Sequence, residues 1–251
     1  MPGAPRQVNP LLGASTRGRH DNQQITSEDP EMKLILFGAT GMVGAGTLTE
    51  ALADSEVEAV LSVGRKSCGV AHPKLRELLL PDLFEFAAIE PELAGYDGCA
   101  WALGISSLGM SEAAYAKVTE ELTLLWARAL LRLNPAFSFC YCSAAGAGGP
   151  TMWAGVRRRI EGALKALPFR HSGCVRPAAI EPGPGVTSRF ISYRAVLFLA
   201  RPLFPFLLRT FPSVVTTSGR LGRAMLRVVQ GRTDRYILES ADINRIDDAR
   251  P

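Results

Sequence analysis

A short apolar run that ends in three regularly spaced glycines constrains this chain more than any other feature. The run from Leu34 to Phe37 is followed by Gly38, Gly41 and Gly44, in a Gly-x-x-Gly-x-x-Gly pattern. An apolar run of this length predicts a buried β-strand, and the apolar spacing after the glycines predicts an amphipathic helix. A strand that passes through such glycines into a helix is typical of a βα unit that binds a dinucleotide.

Each glycine has its own expected role in this turn. Gly38 is expected to allow the tight turn, Gly41 to let the backbone approach a pyrophosphate, and Gly44 to let the helix pack closely on the strand. The alternative is a glycine-rich turn that binds nothing. The cofactor-binding residues predicted in the turn are Gly38, Thr40, Gly41, Met42, Val43 and Gly44.

With these glycines, the chain resembles the short-chain dehydrogenase/reductase superfamily, in its atypical branch of epimerase-like and Tat-interacting-protein-like members. The resemblance runs from about Met32 to Ile246. It implies an α/β fold, the doubly wound parallel sheet of the NAD(P)-binding Rossmann type, with a small C-terminal substrate or cap region. Residues 32–246 are then expected to form one domain, with cap elements around 182–235, and residues 1–31 a disordered N-terminal extension.

The residues after the second predicted strand, Val57 to Val63, indicate which nucleotide is bound. An NAD site has an acidic residue here that binds the ribose 2′-hydroxyl. This chain instead has Arg65, which lies 21 positions beyond Gly44, and Lys66. A guanidinium beside an ammonium pairs with a 2′-phosphate, so NADP(H) is expected in preference to NAD(H). A solvated basic pair that binds nothing is the alternative.

Further strand ends follow at the spacing of a doubly wound sheet. The resemblance implies that Asp82 and Leu83 lie near the adenine, Gly104 near the cofactor ribose, and Pro177 beside the nicotinamide. The predicted elements are the third strand and its exit over Leu78 to Leu83, strands over Tyr96 to Gly104 and Phe137 to Ser143, the sixth strand and its Arg-Pro exit over Cys174 to Ile180, a helix over Ser111 to Leu133, a helix that begins at Thr216 to Ser218, and an edge strand over Arg235 to Glu239.

The catalytic motif is where the chain departs from the superfamily. Active members use a serine to hold the substrate oxygen, a tyrosine to transfer a proton, and a lysine four residues after the tyrosine. Ser143 fits the first role, but Trp153 and Arg157 stand at the other two positions. None of the five tyrosines has a lysine four residues later.

This substitution has a chemical consequence. An indole only donates hydrogen bonds and a guanidinium keeps its proton, so neither group joins a proton relay near neutral pH. Ser143, Trp153 and Arg157 are nevertheless expected at the nicotinamide end, with Arg157 bonded to the ribose. For Trp153 the alternative is a packed helix residue without a chemical role.

Composition excludes several other classes of protein. With 251 residues, 47% of them hydrophobic, the chain can bury one such sheet. Five cysteines without a C-x-x-C pair argue against a disulfide framework and favour a reduced, cytoplasmic protein. The three histidines are scattered, so no metal site is predicted, and the first thirty residues lack the apolar core of a secretory signal.

The C-terminal half is strongly basic. From Thr151 to Arg235 there are fifteen Lys and Arg against three acids, and residues 190–211 combine arginines with many apolar side chains. This segment predicts a cap over a substrate cleft or a homodimer interface, with a peripheral contact to an anionic membrane surface as the alternative. Nucleic acid is not an expected partner, because no recognition motif accompanies the charge.

Two functions therefore compete. The first is an oxidoreductase or epimerase-like enzyme on a small carbonyl or hydroxyl substrate, with Ser143 holding the oxygen and water or the substrate supplying the proton. The second is a non-catalytic protein that senses NADPH and binds a partner or a membrane surface. The missing tyrosine favours sensing, whereas the glycines, Ser143 and Arg157 favour retained cofactor chemistry.

Overall fold

The computed structural model describes residues 31–181, Thr210 and residues 213–248. Residues 1–30 of the expected N-terminal extension lie outside this part of the chain. The predicted cap, interface or membrane segment, residues 190–211, also lies outside it except for Thr210.

The described residues form nine strands, all in parallel pairs. They are β1 (Met32–Phe37), β2 (Val57–Gly64), β3 (Leu75–Leu79), β4 (Gly98–Trp101), β5 (Ser138–Cys142), β6 (Ser172–Arg176), β7 (Ala179–Glu181), β8 (Val215–Thr217) and β9 (Ile237–Glu239). Seven strands form one sheet in the order β3-β2-β1-β4-β5-β6-β9, and β7 pairs with β8 in a small second sheet. The predicted doubly wound sheet is confirmed.

Helices cover both faces of the large sheet in the described part of the chain. They are α1 (Met42–Ala53), α2 (Glu112–Ala116), α3 (Leu122–Leu133), α4 (Met152–Ala166), α5 (Ser218–Val229) and α6 (Ser240–Asp248). One face packs against α1, α5 and α6, and the other against α2, α3 and α4. The residues that were expected to form cap elements up to position 235 therefore include α5, which belongs to the core of the fold.

The apolar run of β1 follows from this double covering. Leu34 and Leu36 face the layer of α1 and α5, and Ile35 and Phe37 face the opposite layer. All four side chains are 0% exposed. A parallel strand that is buried on both faces needs apolar residues at every position. The order of strands reverses between β1 and β4, and ligands of open parallel sheets bind in the crevice at the carboxyl ends of the strands there.

Two strands end close to a proline. The segment Leu78 to Leu83 was predicted as the third strand and its exit; β3 is Leu75–Leu79, so it begins earlier than predicted, and the chain turns away at Pro81. The segment Cys174 to Ile180 was predicted as the sixth strand and its Arg-Pro exit, and β6 does end at Arg176, directly before Pro177. Proline has no N–H to donate to a strand ladder, so it marks the point where each strand ends.

The long predicted helix is also interrupted. A π turn, Lys117–Glu121, lies between α2 and α3. The signals at the C-terminal end hold better: the side chain of Thr217 caps α5 by accepting a hydrogen bond from the backbone N–H of Arg220, at 3.1 Å. The predicted edge strand is confirmed as β9, which lies beside β6 at one edge of the sheet.

Glycines bring α1 and α5 into close contact. A side-chain carbon added at Gly46 would overlap the backbone oxygen of Ser218, and one added at Gly222 would lie 2.8 Å from the Cα atom of Thr47. Both neighbours are backbone atoms, which cannot rotate away. The distance between the two helices therefore depends on the missing side chains.

We expect Gly222→Ala to lower the free energy of unfolding by about 1–3 kcal/mol, because the added methyl group forces the packed helices apart. Gly162→Ala is the matched control: this glycine is also inside a helix, α4, but its side-chain position is open. Since alanine favours a helix over glycine, Gly162→Ala should raise the stability by up to about 1 kcal/mol. Urea unfolding measures both, and equal effects would contradict the close contact.

Candidate functional site

The glycine turn after β1 is held by backbone contacts. Gly38 has a φ of +82°, and a side-chain carbon there would lie 2.6 Å from the carbonyl oxygen of Ala102. A side chain at Gly44 would overlap the carbonyl of Gly38. Only glycine fits either position, so β1, the turn and the first turn of α1 pack as one unit with the end of β4.

Gly41 is different because its side-chain position is nearly open. It is the N-cap of α1 in extended backbone, and an added carbon would meet only the oxygen of Gly38, at 3.3 Å. Gly41 has no side chain with which to cap α1, and no acidic residue lies in the first turn of the helix. The N–H groups of Met42, Val43 and Gly44 have no helical acceptor. This open, uncapped helix end beside the exposed Thr40 fits the phosphates of a dinucleotide.

The basic pair lies at the carboxyl end of β2. Arg65 and Lys66 follow Gly64, the last residue of the strand, and both are exposed. Glu77, on β3, accepts hydrogen bonds from the Ser67 hydroxyl at 2.6 Å and the Cys68 N–H at 2.8 Å. In the described part of the chain neither basic side chain has an ion pair, so both are available to a ligand.

Asp82 and Leu83 follow β3 at the same edge of the sheet. Asp82 is exposed, and its Oδ1 accepts a hydrogen bond from the N–H of Phe84 at 2.9 Å. Leu83 is buried, and its carbonyl accepts a hydrogen bond from the indole of Trp126 at 2.8 Å. These bonds hold the loop after β3 against α3.

One face of α4 carries three side chains of the candidate site at steps of four residues: Trp153, Arg157 and Glu161. A step of four places side chains in a row along a helix. The half-buried ring of Trp153 lies against Gly146, with a ring carbon 3.4 Å from the position of an added side-chain carbon. The indole therefore covers the glycine-rich loop that follows β5.

Arg157 lies between the carboxyl ends of β4 and β5. Its Nε donates to the hydroxyl of Tyr115 at 3.2 Å, and one terminal nitrogen, Nη1, donates to the carbonyl of Cys142 at 3.2 Å. The other terminal nitrogen, Nη2, lies 3.8 Å from the position of an added carbon at Gly104. The structure thus brings together Arg157 and Gly104, which the sequence predicted separately.

The surroundings keep Arg157 charged. Burial acts to lower the pKa of its guanidinium, but the neighbouring Tyr141 and Tyr115 hydroxyls raise the pKa above its ordinary value. Burial also raises the pKa of Tyr141 well above its usual range, so this phenol stays neutral. Arg157 is consequently a fixed positive charge at the edge of the sheet.

Ser143 has a different partner from the one expected. Its side chain is buried, and its hydroxyl donates to a carboxylate oxygen of Glu161 at 2.5 Å. A serine hydroxyl has one proton to donate. In this arrangement that proton is bonded to Glu161, and the role of Ser143 in holding a substrate oxygen stays a prediction.

Glu161 belongs to a network that joins three strand ends. Its carboxylate accepts from Nε of Arg176 at 2.9 Å, and another nitrogen of Arg176 donates to Glu239 at 3.1 Å. These hydrogen bonds to Glu161 and Glu239 outweigh burial and raise the pKa of Arg176 above its ordinary value. Ser143, Arg176 and Glu239 stand at the ends of β5, β6 and β9, so the network fixes the edge of the sheet below the site.

Pro177 follows β6, and its carbonyl accepts a hydrogen bond from the N–H of Ala145 at 2.9 Å. The loops after β5 and β6 are therefore joined directly. Tyr115, Glu161 and Arg176 are the residues of the site that the sequence did not predict. Only the four-residue step from Arg157 to Glu161 was visible in the sequence, because the other partners lie on separate elements.

Other kinds of site find little support in the described residues. All five cysteines are free, and burial raises the pKa of the Cys142 thiol to about 11 and that of Cys174 to about 12. Such thiols are poor nucleophiles. No group of three or more His, Cys, Asp or Glu in the described ranges is arranged to hold a metal ion. None of the described helices is both long and apolar enough to cross a membrane.

The sequence comparisons give one relative. No protein-family model matches the chain. Protein FMP52, mitochondrial, from Chaetomium globosum is 28% identical over 156 residues, which cover 58% of this chain. The match spans 65% of the length of that relative, slightly less than two thirds.

Solved structures match over more of the chain, at low identity. A short chain dehydrogenase family protein from Francisella tularensis has a TM-score of 0.63 and 9% identity, and the match covers 83% of this chain and 96% of that one. MoeE5, solved in complex with UDP-glucose and NAD, has a TM-score of 0.59 and 18% identity, with 82% and 74% covered. The chain therefore has the Rossmann fold of these short-chain dehydrogenase/reductase structures.

Proposed function

We propose that this protein binds NADP(H) and acts as an oxidoreductase of the atypical short-chain dehydrogenase/reductase type on a small carbonyl or hydroxyl substrate. The observation that carries the proposal is the open, uncapped N-terminus of α1 at Gly41, which lies at the crevice where the strand order reverses. The fold shared with short-chain dehydrogenases supports the reaction class.

The proposed cofactor residues extend along the carboxyl edge of the sheet. The turn from Gly38 to Gly44 would hold the pyrophosphate, and Arg65 with Lys66 would pair with the 2′-phosphate. Asp82 and Leu83 would lie near the adenine, and Gly104, Arg157 and Pro177 at the nicotinamide end. When bound, the nicotinamide supplies or accepts a hydride.

The side chains of the protein must then stabilise the substrate oxygen, and the reaction needs a source for its proton. Nη2 of Arg157 is a charged donor with no hydrogen-bond partner in the described part of the chain, so it suits an oxygen that gains negative charge. Arg157 keeps its proton, Trp153 cannot transfer one, and the proton of Ser143 is bonded to Glu161. We infer that water or the substrate itself provides the proton of the reaction.

The lack of a side chain that can transfer a proton favours a second candidate function. None of the side chains at the three predicted catalytic positions is arranged to transfer a proton, so the protein would instead bind NADPH without turnover and report its occupancy to a partner or a membrane surface. Residues 190–211 would provide that contact, or a homodimer interface or cap in the enzyme. No nucleic-acid partner is proposed.

A cytoplasmic location is proposed from the reduced cysteines. The relative FMP52 is described as mitochondrial, and that word applies to the relative. Fractionation of cells that express the full chain distinguishes the cytosol, a membrane fraction and mitochondria.

The first prediction concerns the choice of nucleotide. NADPH should bind at least about tenfold more tightly than NADH, about 1.4 kcal/mol, because Arg65 and Lys66 meet the 2′-phosphate. Arg65→Ala should weaken NADPH far more than NADH, whereas Arg128→Ala, which removes an exposed arginine of α3, should change neither. Fluorescence titration measures the six affinities of the three proteins, and a preference of the wild type for NADH would overturn the assignment.

The second prediction separates the open glycine from the packed one. Gly41→Val should abolish NADPH binding and leave the fold intact, because its extended backbone accepts any residue and the new side chain fills the phosphate space. Gly44→Ala should lower both binding and stability, because its methyl group overlaps the Gly38 carbonyl. Calorimetry and circular dichroism measure the two properties. Unchanged binding in Gly41→Val would mean that the turn is only structural.

The third prediction tests the missing acid. Trp153→Tyr combined with Arg157→Lys should create or raise NADPH-dependent reduction of quinones or aldehydes, because a positioned acid contributes about 10²–10⁴-fold. Adding Ser143→Ala should preserve most of the gain if the serine proton stays on Glu161. Loss of the gain would instead mean that Ser143 turns toward the substrate.

Steady-state rates over a broad substrate panel decide between the two functions. If the wild type turns over quickly and the double variant is slower, Trp153 takes part in a different catalytic mechanism. This result would exclude the NADPH-sensing function. Binding of NADPH without oxidation by either form would favour the sensor and exclude the oxidoreductase.

A further inference from the structure

Two buried tyrosines lie beside Arg157 and differ in how they meet it. The side chains of Tyr115, from α2, and Tyr141, from β5, are each 1% exposed. The hydroxyl of Tyr115 accepts a hydrogen bond from Nε of Arg157 at 3.2 Å. The hydroxyl of Tyr141 is buried and has no hydrogen-bond partner within the described ranges. Only Tyr115 therefore acts on the guanidinium through a direct bond.

The bond to Tyr115 restricts the orientation of Arg157. A guanidinium is planar, and its donors project in a fixed fork. Nε is held by Tyr115 and Nη1 by the carbonyl of Cys142, so two bonds from different elements define the plane. The third nitrogen, Nη2, then faces Gly104 at the carboxyl end of β4. Without the bond to Tyr115, the single bond to the Cys142 carbonyl would leave the guanidinium of Arg157 free to rotate.

This arrangement depends on arginine. A lysine at position 157 has a single nitrogen at its tip and no Nε, so it cannot bond Tyr115 and point a second nitrogen at Gly104 from the same rigid group. Tyr115 also lies two residues before the start of the π turn Lys117–Glu121. Such turns add a residue to a helix and change where neighbouring side chains point.

We propose that Tyr115 is a positioning residue, which orients Arg157 so that Nη2 faces the nicotinamide half of the bound nucleotide. The inference rests on the proposed function and names a residue that the superfamily motif does not include. Tyr115 is not proposed as the missing acid, because its buried hydroxyl faces Arg157 and is not exposed to a ligand.

The test compares matched tyrosine variants with three nucleotides. Tyr115→Phe removes only the hydroxyl that holds Arg157, and Tyr141→Phe removes a neighbouring buried hydroxyl that has no hydrogen-bond partner among the described residues. We expect Tyr115→Phe to weaken NADPH and NADH by the same factor, about three- to tenfold, since it removes one hydrogen bond to a charged group. Binding of 2′,5′-ADP, which lacks the nicotinamide half, should not change. Tyr141→Phe should leave all three affinities unchanged.

A double-mutant cycle then tests the route through Arg157. In the Arg157→Lys background, Tyr115→Phe should cause no further loss of NADPH affinity, because the lysine makes no Nε bond. Thermal unfolding of each variant records any general loss of stability.

The outcomes separate this inference from the proposed function. A wild type that binds neither NADPH nor 2′,5′-ADP overturns the proposed function. A wild type that binds NADPH while Tyr115→Phe binds it equally well overturns only the positioning role. A loss that extends to 2′,5′-ADP, or that persists in the Arg157→Lys background, would mean that Tyr115 acts through general packing and would likewise overturn the inference.

Discussion

The close backbone packing of the glycine turn is the constraint on which the rest of the site depends. Gly38 and Gly44 leave no room for side chains, so the end of β1, the start of α1 and the end of β4 are held together without any adjustable contact. Gly46 and Gly222 then bring α5 against α1. These successive close contacts place the N-terminal end of α1 at the crevice between β1 and β4.

The sequence predicted the features that local patterns determine. The apolar run of β1, the glycine spacing and the Arg-Pro exit of the sixth strand depend on residues close together in the chain, and the spacing of the strand ends predicted the doubly wound sheet. The hydrogen-bond partner of each side chain was not predictable in the same way, because the two partners lie far apart in the sequence. Ser143 was correctly placed at the end of a strand, but Glu161, its actual partner, lies on α4. Tyr115 was excluded by a motif of four-residue spacing, yet it meets Arg157 from a different helix.

Two residues on one face of α4, Glu161 and Arg157, differ in how many of their hydrogen-bonding groups already have a partner. Glu161 is satisfied by Ser143 and Arg176, which leaves these groups committed to structure. Arg157 is the charged group that still has a donor directed to the crevice. An enzyme built on this arrangement would stabilise charge by a fixed cation instead of transferring a proton from a side chain, which limits it to substrates that exchange protons with water.

The small sheet formed by β7 and β8 has a consequence for how this protein can change. Ala179–Glu181 pairs in parallel with Val215–Thr217, and Asn244 bonds the second of these strands at the hydroxyl of Thr216 and the carbonyl of Val215. The two ends of the segment between Glu181 and Val215 are thus fixed side by side by backbone pairing. Because loop-closure entropy grows only slowly with loop length, a change in the number of residues between these two strands costs little free energy through chain entropy alone.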